Sequence, residues 1–577
     1  MASENFFRNI KDKAGEKIMQ QRNTPDVQKW FPSEDGNEAK RHEFLSLIEQ
    51  LIEGVDELKN PDQVNLGGEK NREGFFYEKL VAESRIPHEG APMKEVNEEL
   101  LKLLHGHPYH TKYFFTNILP MASIPGILGM LTAFMVNGNN LWDVYGPAGA
   151  EAEVKVTAMM SKLAGYDAET SGGYTTWGGQ GAVYSGLRIA IAKMAPSSLK
   201  EGVPGNFYAF CSEAAHYSLY KSMEAAGLGS DHLIKVKTNL DHSMDTEDLR
   251  AKLRQVCEAG GIPVYIVATT GTTDAIGIDD VSAVRRAAEE TAKSFGLPVP
   301  HIHADSALGG FFAFFNEYDL NENALSFSPG VLSMIKPIQE KMRHLHAADS
   351  LCFDFQKLGQ TPYVTSLFLV KDRNDLKRID LDPDETPYVG HRGYGDYHTG
   401  YTLECSRMAS SISMYSALMA FGYEGYQKLL GQFLEVNLHF REQLSQQIPE
   451  ADIVNPDNFG MSTLFRIYPE GAPRFEDEIS GACTIQELER NNALTEKLFE
   501  KLGTKRDKMF FGDTKKHLLV KSCEGTEIPL CVSKFFVISP YTMPEHVPGI
   551  IDYLKENIEE VCREHGSLMT NSRGYRR

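Results

Sequence analysis

SLCFDFQKLGQTPYVTS, residues 350–366, places one lysine, Lys357, just beyond an apolar run of Leu351, Cys352, Phe353 and Phe355. Lysine is rarely buried unless it is paired or chemically engaged. The run reads as a core strand, so the chain aims a lone amine out of its own interior. Either that amine snorkels to solvent, or it is a nucleophile whose pKa is lowered by burial or a nearby cation. The segments around it bear on the choice.

Upstream, strand-like and helix-like stretches alternate. NFYAFCS (206–212) reads as a strand and HYSLYKSMEAAG (216–227) as a helix stopped by Gly227. HLIKVKT is a strand. TEDLRAKLRQVCEAGG is a helix with Leu249, Leu253 and Val256 on one face. PVYIVATTGTT, PHIHADSA and SLFLVKD (366–372) read as further strands, and DDVSAVRRAAEETAKSFG as a helix. This alternation predicts an α/β fold with a mostly parallel sheet covered by helices. Ligands of such sheets sit at the carboxyl ends of the strands. The expected division is an N-terminal helical segment (1–115), a large domain (116–400) and a small C-terminal α+β domain (401–577).

The bulk properties exclude several classes. The chain has 577 residues, 42% hydrophobic and 24% charged, with a net charge of −20. That charge repels a nucleic-acid backbone. Its 8 cysteines form no CxxC, so no zinc ribbon or disulfide framework is expected, and no metal. The N-terminus MASENFFRNIKDKAGEK is too charged for a secretory signal, and the cytoplasm is the expected location. Residues 113–142 carry no charge, a length that could span a bilayer. Pro120, Pro125, Gly126 and three asparagines interrupt it, so a buried helix or a subunit interface is expected and no membrane partner.

Four features fall at strand ends or helix starts. Gly178, Gly179 and Gly181 precede an apolar-periodic helix, where backbone N–H groups can meet an anion. The run fails the GxGxxG pattern and could be only a tight turn. His216 follows a strand; a lone histidine is more often structural. Asp305 ends an apolar strand, where a buried carboxylate needs a cation or a hydrogen-bond donor. Lys357 is the fourth. A phosphate cradle, a ring-stacking group, a carboxylate and an amine are what pyridoxal phosphate requires.

At these residues the chain resembles fold-type-I pyridoxal-phosphate enzymes of the group II amino-acid decarboxylase family. The family pattern His-Val-Asp-Ala-Ala-x-Gly-Gly reads here as His303-Ala304-Asp305-Ser306-Ala307-Leu308-Gly309-Gly310. The family's GTT reads as Gly271-Thr272-Thr273, and its His-bearing helix start as His216-Tyr217-Ser218 with Lys221. YGPAGAEAE (145–153) is similar to the family's approach to a glutamate. The resemblance implies a seven-stranded sheet and a role for each residue. Lys357 would carry the cofactor as a Schiff base and Asp305 would pair with its pyridine nitrogen. His216 would stack on the ring, with Ala307 on the other face. Gly179 and Gln180 would hold phosphate, and Thr272 would lie near the ring or substrate. Asp354 and Gln356 complete the cofactor-binding set. Arg407 would be a structural or substrate-carboxylate-binding arginine.

The family's proton-delivering loop tyrosine is matched by Tyr388, with Tyr394 and Tyr397 as rivals. Two departures stand out. Gln356 replaces the usual histidine before the lysine, and the phosphate turn reads Gly178-Gly179-Gln180-Gly181-Ala182. The expected reaction is decarboxylation of an L-amino acid with a neutral aliphatic or aromatic side chain, in a homodimer with sites at the interface. A carbon–carbon lyase of the sphingosine-phosphate lyase type, and a non-catalytic scaffold on the same fold, are the alternatives.

Overall fold

In the computed structural model, residues 27–574 are described apart from 71, 73, 117–119, 382–396 and 398, and apart from the side chains of 27, 29 and 565–574. They fall into two compact units, one of residues 27–60 with 65–108, the other of 61–64 with the remainder from 109 onward. The first unit contains helices Glu38–Leu58, Phe76–Glu83 and Met93–Leu104. Asn37 caps the first of these by accepting the Lys40 N–H, and the Asn97 carboxamide donates to the Leu47 carbonyl.

The second unit is organised by a seven-stranded sheet. In chain order its strands are β1 (Gly172–Thr176), β2 (Phe207–Ser212), β3 (Leu233–Val236), β4 (Ile262–Thr269), β5 (His301–Asp305), β6 (Ser350–Asp354) and β7 (Ser366–Val370). Their spatial order is β1-β7-β6-β5-β4-β2-β3. The expected mostly parallel sheet is mixed: β7 runs antiparallel to both β1 and β6, and the pairs from β6 to β3 are parallel. The reversal follows from the short connection between β6 and β7, since a tight return can make only an antiparallel neighbour. Val264 to Ala268 of β4 are all fully buried, as both faces of a helix-covered sheet require.

The covering helices are α1 (Ile124–Val136), α2 (Pro147–Leu163), α3 (Gly179–Met194), α4 (Ser218–Ala225), α5 (Thr246–Glu258), α6 (Val281–Phe295), α7 (Pro329–Met342) and α8 (Ser411–Gln447). Local chemistry sets their ends. Asp245 and Asp280 cap α5 and α6 with their carboxylates, and Gly296 stops α6 in the left-handed region. Gly422, with non-helical backbone, interrupts α8.

A second sheet orders Phe114–Phe115, Phe510–Thr514, Val532–Phe536, Ser462–Ile467 and Ala451–Ile453 side by side. Phe114 and Phe115 pair with Phe510 and Phe511, which draws residues assigned to the N-terminal segment into the C-terminal sheet.

The uncharged stretch is only half buried. Gly126, Gly129, Met130 and Ala133 of α1 face inward, and Gly129 meets Ser413 of α8 so closely that a Cβ would lie 2.7 Å from its Cα. Ile124, Phe134 and Met135 stay exposed. Among the described residues no helix is long and apolar enough to cross a membrane.

Ser350 is fully buried between two histidines of β5. Its Oγ lies 2.8 Å from His301 Nε2 and 2.8 Å from His303 Nδ1. Burial pushes His301 down to about 4 and His303 down to about 3. Both are neutral in the folded chain and titrate near ~6.5 once unfolded. As pH falls below about 6.5 the unfolded state therefore binds more protons, and stability is lost until the folded values are reached. Urea midpoints measured from pH 7 to 4 should fall by the equivalent of roughly 3 kcal/mol per histidine, and His303→Gln should flatten that slope.

Candidate active site

The carboxyl ends of β1, β5 and β6 lie next to one another through β7 and the β5–β6 pair, and each delivers one part of a site. After β1 the chain turns at Gly178, whose φ of +124° favours glycine, and enters α3 at Gly179. A Cβ on Gly179 would lie 3.1 Å from Ala307 Cβ and 3.1 Å from Asp354 Oδ2. The glycine turn, the loop after β5 and the end of β6 thus meet at one point.

Asp305, the last residue of β5, is 7% exposed. Its Oδ1 accepts the Ala307 N–H at 3.3 Å and faces Cys352 Sγ at 3.5 Å. The loops after β4 and β5 are locked together by Thr270 Oγ1 and Ser306 Oγ at 2.6 Å. Gly271 has no room for a side chain, since its Cβ would lie 2.5 Å from the Gly309 nitrogen.

Lys357 sits in the turn that follows β6, three residues beyond the strand end. Its Nζ pairs with Asp354 Oδ2 at 3.0 Å, and Asp354 Oδ1 accepts from Ser366 Oγ at 2.5 Å. The lysine side chain is 29% exposed and Asp354 only 3%. Burial pushes the amine down, but the charges of Asp354 and Asp305 outweigh it and hold the amine above its ordinary value. The expected lowered pKa is thereby corrected: two carboxylates, not a cation, face this lysine.

His216 lies just before α4, with the Ser218 N–H donating to its Nδ1 at 3.2 Å. Burial lowers its pKa, against the pull of Asp305 and with the help of Lys357. The ring is therefore a neutral partner for Asp305 and Lys357. Lys357, Asp305, His216, Ala307, Gly179 and Asp354 are the sequence-predicted residues that the fold brings together.

Others are placed differently. Gln356 is buried, and its carboxamide faces inward: Oε1 accepts the Thr365 N–H at 2.6 Å and Nε2 donates to Ser366 Oγ at 2.9 Å. It braces β7. Thr272 uses its hydroxyl to accept the Gly277 N–H at 2.8 Å, closing the turn after β4. Gln180 lies in the first turn of α3.

Arg407 is a structural arginine in this fold. Its guanidinium pairs with Glu153, and it also donates to Thr399 Oγ1 at 2.8 Å, the Asn140 carbonyl at 3.1 Å and Thr175 Oγ1 at 3.0 Å. The substrate-carboxylate role is not what its surroundings provide. Tyr397 donates its hydroxyl to the same Glu153 carboxylate, so this rival for proton delivery belongs to the Arg407 cluster. Tyr388 and Tyr394 lie outside the described residues.

Sequence reading missed Ser366, which steers Asp354, and Tyr363. The Tyr363 phenol is raised by burial, lowered by Lys357 and raised by Asp354, which places it in the electrostatic surroundings of the lysine. Its position six residues beyond Lys357 in the same segment was the available signal. Among the described residues no cluster could hold a metal ion.

The site also fits an aldehyde-bearing phosphate cofactor at two of its three ends. The amine of Lys357 and the buried carboxylate of Asp305 suit an aldehyde and a protonated ring nitrogen. The third end, a helix start cleared of side chains at Gly179, suits a phosphate by its backbone but holds the Asp354 carboxylate against it.

Comparison with known proteins gives concordant findings. The pyridoxal-dependent decarboxylase conserved domain matches residues 77–467. L-2,4-diaminobutyrate decarboxylase of Rhizobium meliloti (strain 1021) is 26% identical over 344 residues, 59% of this chain and 61% of that protein. A glutamate decarboxylase-like protein of Gibberella zeae is 28% identical over 268 residues, 46% of each. The chain thus matches less than two thirds of the length of either relative. The crystal structure of Catharanthus roseus tryptophan decarboxylase in complex with L-tryptophan shares the fold, with a TM-score of 0.71 at 18% identity over 92% of this chain and 100% of that one.

Glu153 is the buried centre of the Arg407 cluster, and it also accepts from the Thr175 N–H at 2.8 Å and from Thr175 Oγ1 at 2.7 Å. Glu153→Gln leaves Arg407 buried without its counter-charge and should cost about 3–5 kcal/mol in urea unfolding. The double variant Glu153→Gln/Arg407→Met should cost less than the sum of the two single changes.

Proposed function

The chain belongs to the pyridoxal-dependent decarboxylase family, and from that premise we propose that it decarboxylates an L-amino acid to the corresponding amine and carbon dioxide. The observation that carries this reading is the meeting of Lys357, Asp354 and Asp305 at the carboxyl ends of β5 and β6, with Asp354 and Ala307 against the glycine turn and His216 in the field of Lys357 and Asp305. Lys357 would hold the cofactor covalently. Asp305 would hold the proton on its pyridine nitrogen, His216 and Ala307 would bound the ring, and the N–H groups of Gly179 and Gln180 would meet the phosphate. When bound, pyridoxal phosphate supplies an aldehyde carbon for amines and a protonated ring that accepts the electrons released by decarboxylation.

The rest is the work of the chain's own groups. Asp305, nearly buried, is screened from water and so exerts its charge at full local strength. Neutral His216 can lie against a ring without adding a charge that would compete with Asp305. The lysine amine, held protonated by its carboxylates, must give up its proton before it attacks. Nearby Asp354 and the phenol of Tyr363 are groups that could receive or return one. Return of a proton to the substrate carbon is the part assigned by resemblance to Tyr388.

A neutral aliphatic or aromatic side chain is the proposed substrate class. In support, Arg407 is committed to Glu153 and offers no clamp for a second carboxylate. A homodimer is proposed as the working form, because α1 leaves Ile124, Phe134 and Met135 exposed on one element. The eight cysteines, all free, accord with the reducing cytoplasm.

Borohydride reduction of the protein incubated with pyridoxal phosphate, followed by peptide mass spectrometry, should place the label on Lys357, and Lys357→Ala should lose it. A panel of L-amino acids should yield one amine with equimolar carbon dioxide. Aldehyde released from a phosphorylated amino alcohol, with no carbon dioxide from any amino acid, would instead establish the carbon–carbon lyase.

A further inference from the structure

The Asp354 carboxylate lies against Gly179, one of the two residues to which the proposed reading assigns the cofactor's phosphate. Both of its oxygens lie against the first residue of α3: a Cβ on Gly179 would be 3.1 Å from Oδ2 and 3.2 Å from Oδ1. The helix is sixteen residues long, so its N-terminus carries the full positive end of the helix dipole. One oxygen also holds the Lys357 amine and the other the Ser366 hydroxyl. Lys357 is the cation paired with Asp354, and it is the group that the cofactor's aldehyde would engage.

Resting on the reading that this site takes pyridoxal phosphate, we propose that Asp354 is a rival of the cofactor's phosphate, built into the chain, so that the cofactor is bound against an internal anion and exchanges instead of being held permanently. Asp354 neutralises the lysine and lies against Gly179. With cofactor, a phosphate dianion must share that helix start with a carboxylate 3% exposed. Like charges at such separations repel strongly in a partly desolvated site. A neutral residue at 354 would remove the repulsion and keep the shape.

Two aldehydes separate the phosphate effect from the amine effect. Pyridoxal phosphate and pyridoxal engage the same amine, and only the first carries the competing anion. Each is titrated into cofactor-stripped wild type, Asp354→Asn and Asp354→Ser, with absorbance of the Schiff base as the readout and circular dichroism as the check on folding. Asp354→Asn should tighten pyridoxal phosphate by about tenfold or more, and pyridoxal by less. Its dissociation rate, followed by dilution into a trapping amine, should fall in proportion. Equal gains for both aldehydes would overturn the proposal, since Asp354 would then act only through the lysine. So would no gain at all in both neutral variants. If wild type takes up neither aldehyde, the cofactor reading itself fails and the proposal falls with it.

Discussion

One amine held between two carboxylates governs this structure. Lys357 pairs with Asp354 and feels Asp305, and none of the three is free to be solvated as an isolated ion would be. Burying any one of them alone would be costly. They are tolerable together only if the chain ends that carry them arrive at one place. A sheet whose central strands run parallel does this cheaply, because the carboxyl ends of β5 and β6 lie side by side by construction. The reversed β7 adds the last member: Ser366, its first residue, stands directly across from Asp354 in the ladder.

The strength of the scaffold lies behind that edge. The strands from β4 to β7 are buried throughout, and the loops at their ends are fastened by short polar contacts and by glycines with no room for a Cβ. Glu153 and Arg407, 254 residues apart in sequence, form a second buried ion pair that fixes the end of β1 through Thr175. Rigid elements of this kind position a site more accurately than loops do. The site is thus stiff at the strand ends and at the glycine turn.

Much of this was legible in the residues. The alternation of apolar strands and amphipathic helices gave every strand of the large sheet from β2 to β7, because both periods are local. Lys357 and Asp305 announced themselves as ionisable groups at the ends of apolar runs. What failed was side-chain direction and long-range partnership. Gln356 and Asp354 are two residues apart, and nothing in the sequence says that the first braces β7 while the second turns to the glycine start of α3. That choice is made by the turn after β6 and by Ser366. Arg407 read as either a structural or a carboxylate-binding arginine; the carboxylate it meets is Glu153, which sequence spacing does not reveal. The lysine's pKa went the wrong way for the same reason, since burial was visible in the apolar run and Asp354's orientation was not.

The charge balance of the site carries a consequence for any anionic ligand. With Lys357 protonated and His216 neutral, Asp305 and Asp354 leave a net negative patch at the helix start. Asp305 is matched by a ring that carries a proton, so its charge works in favour of such a ligand. Asp354 is matched only by the lysine, the group that an aldehyde would consume. On the proposed reading, the same carboxylate that pairs with the lysine opposes an anion at the start of α3. A neutral carboxamide of the same shape would leave Lys357 facing Asp305 alone, its charge less well compensated. On the reading proposed above, Asp354 stabilises the lysine it pairs with and, by the same charge, disfavours an anion at the start of α3.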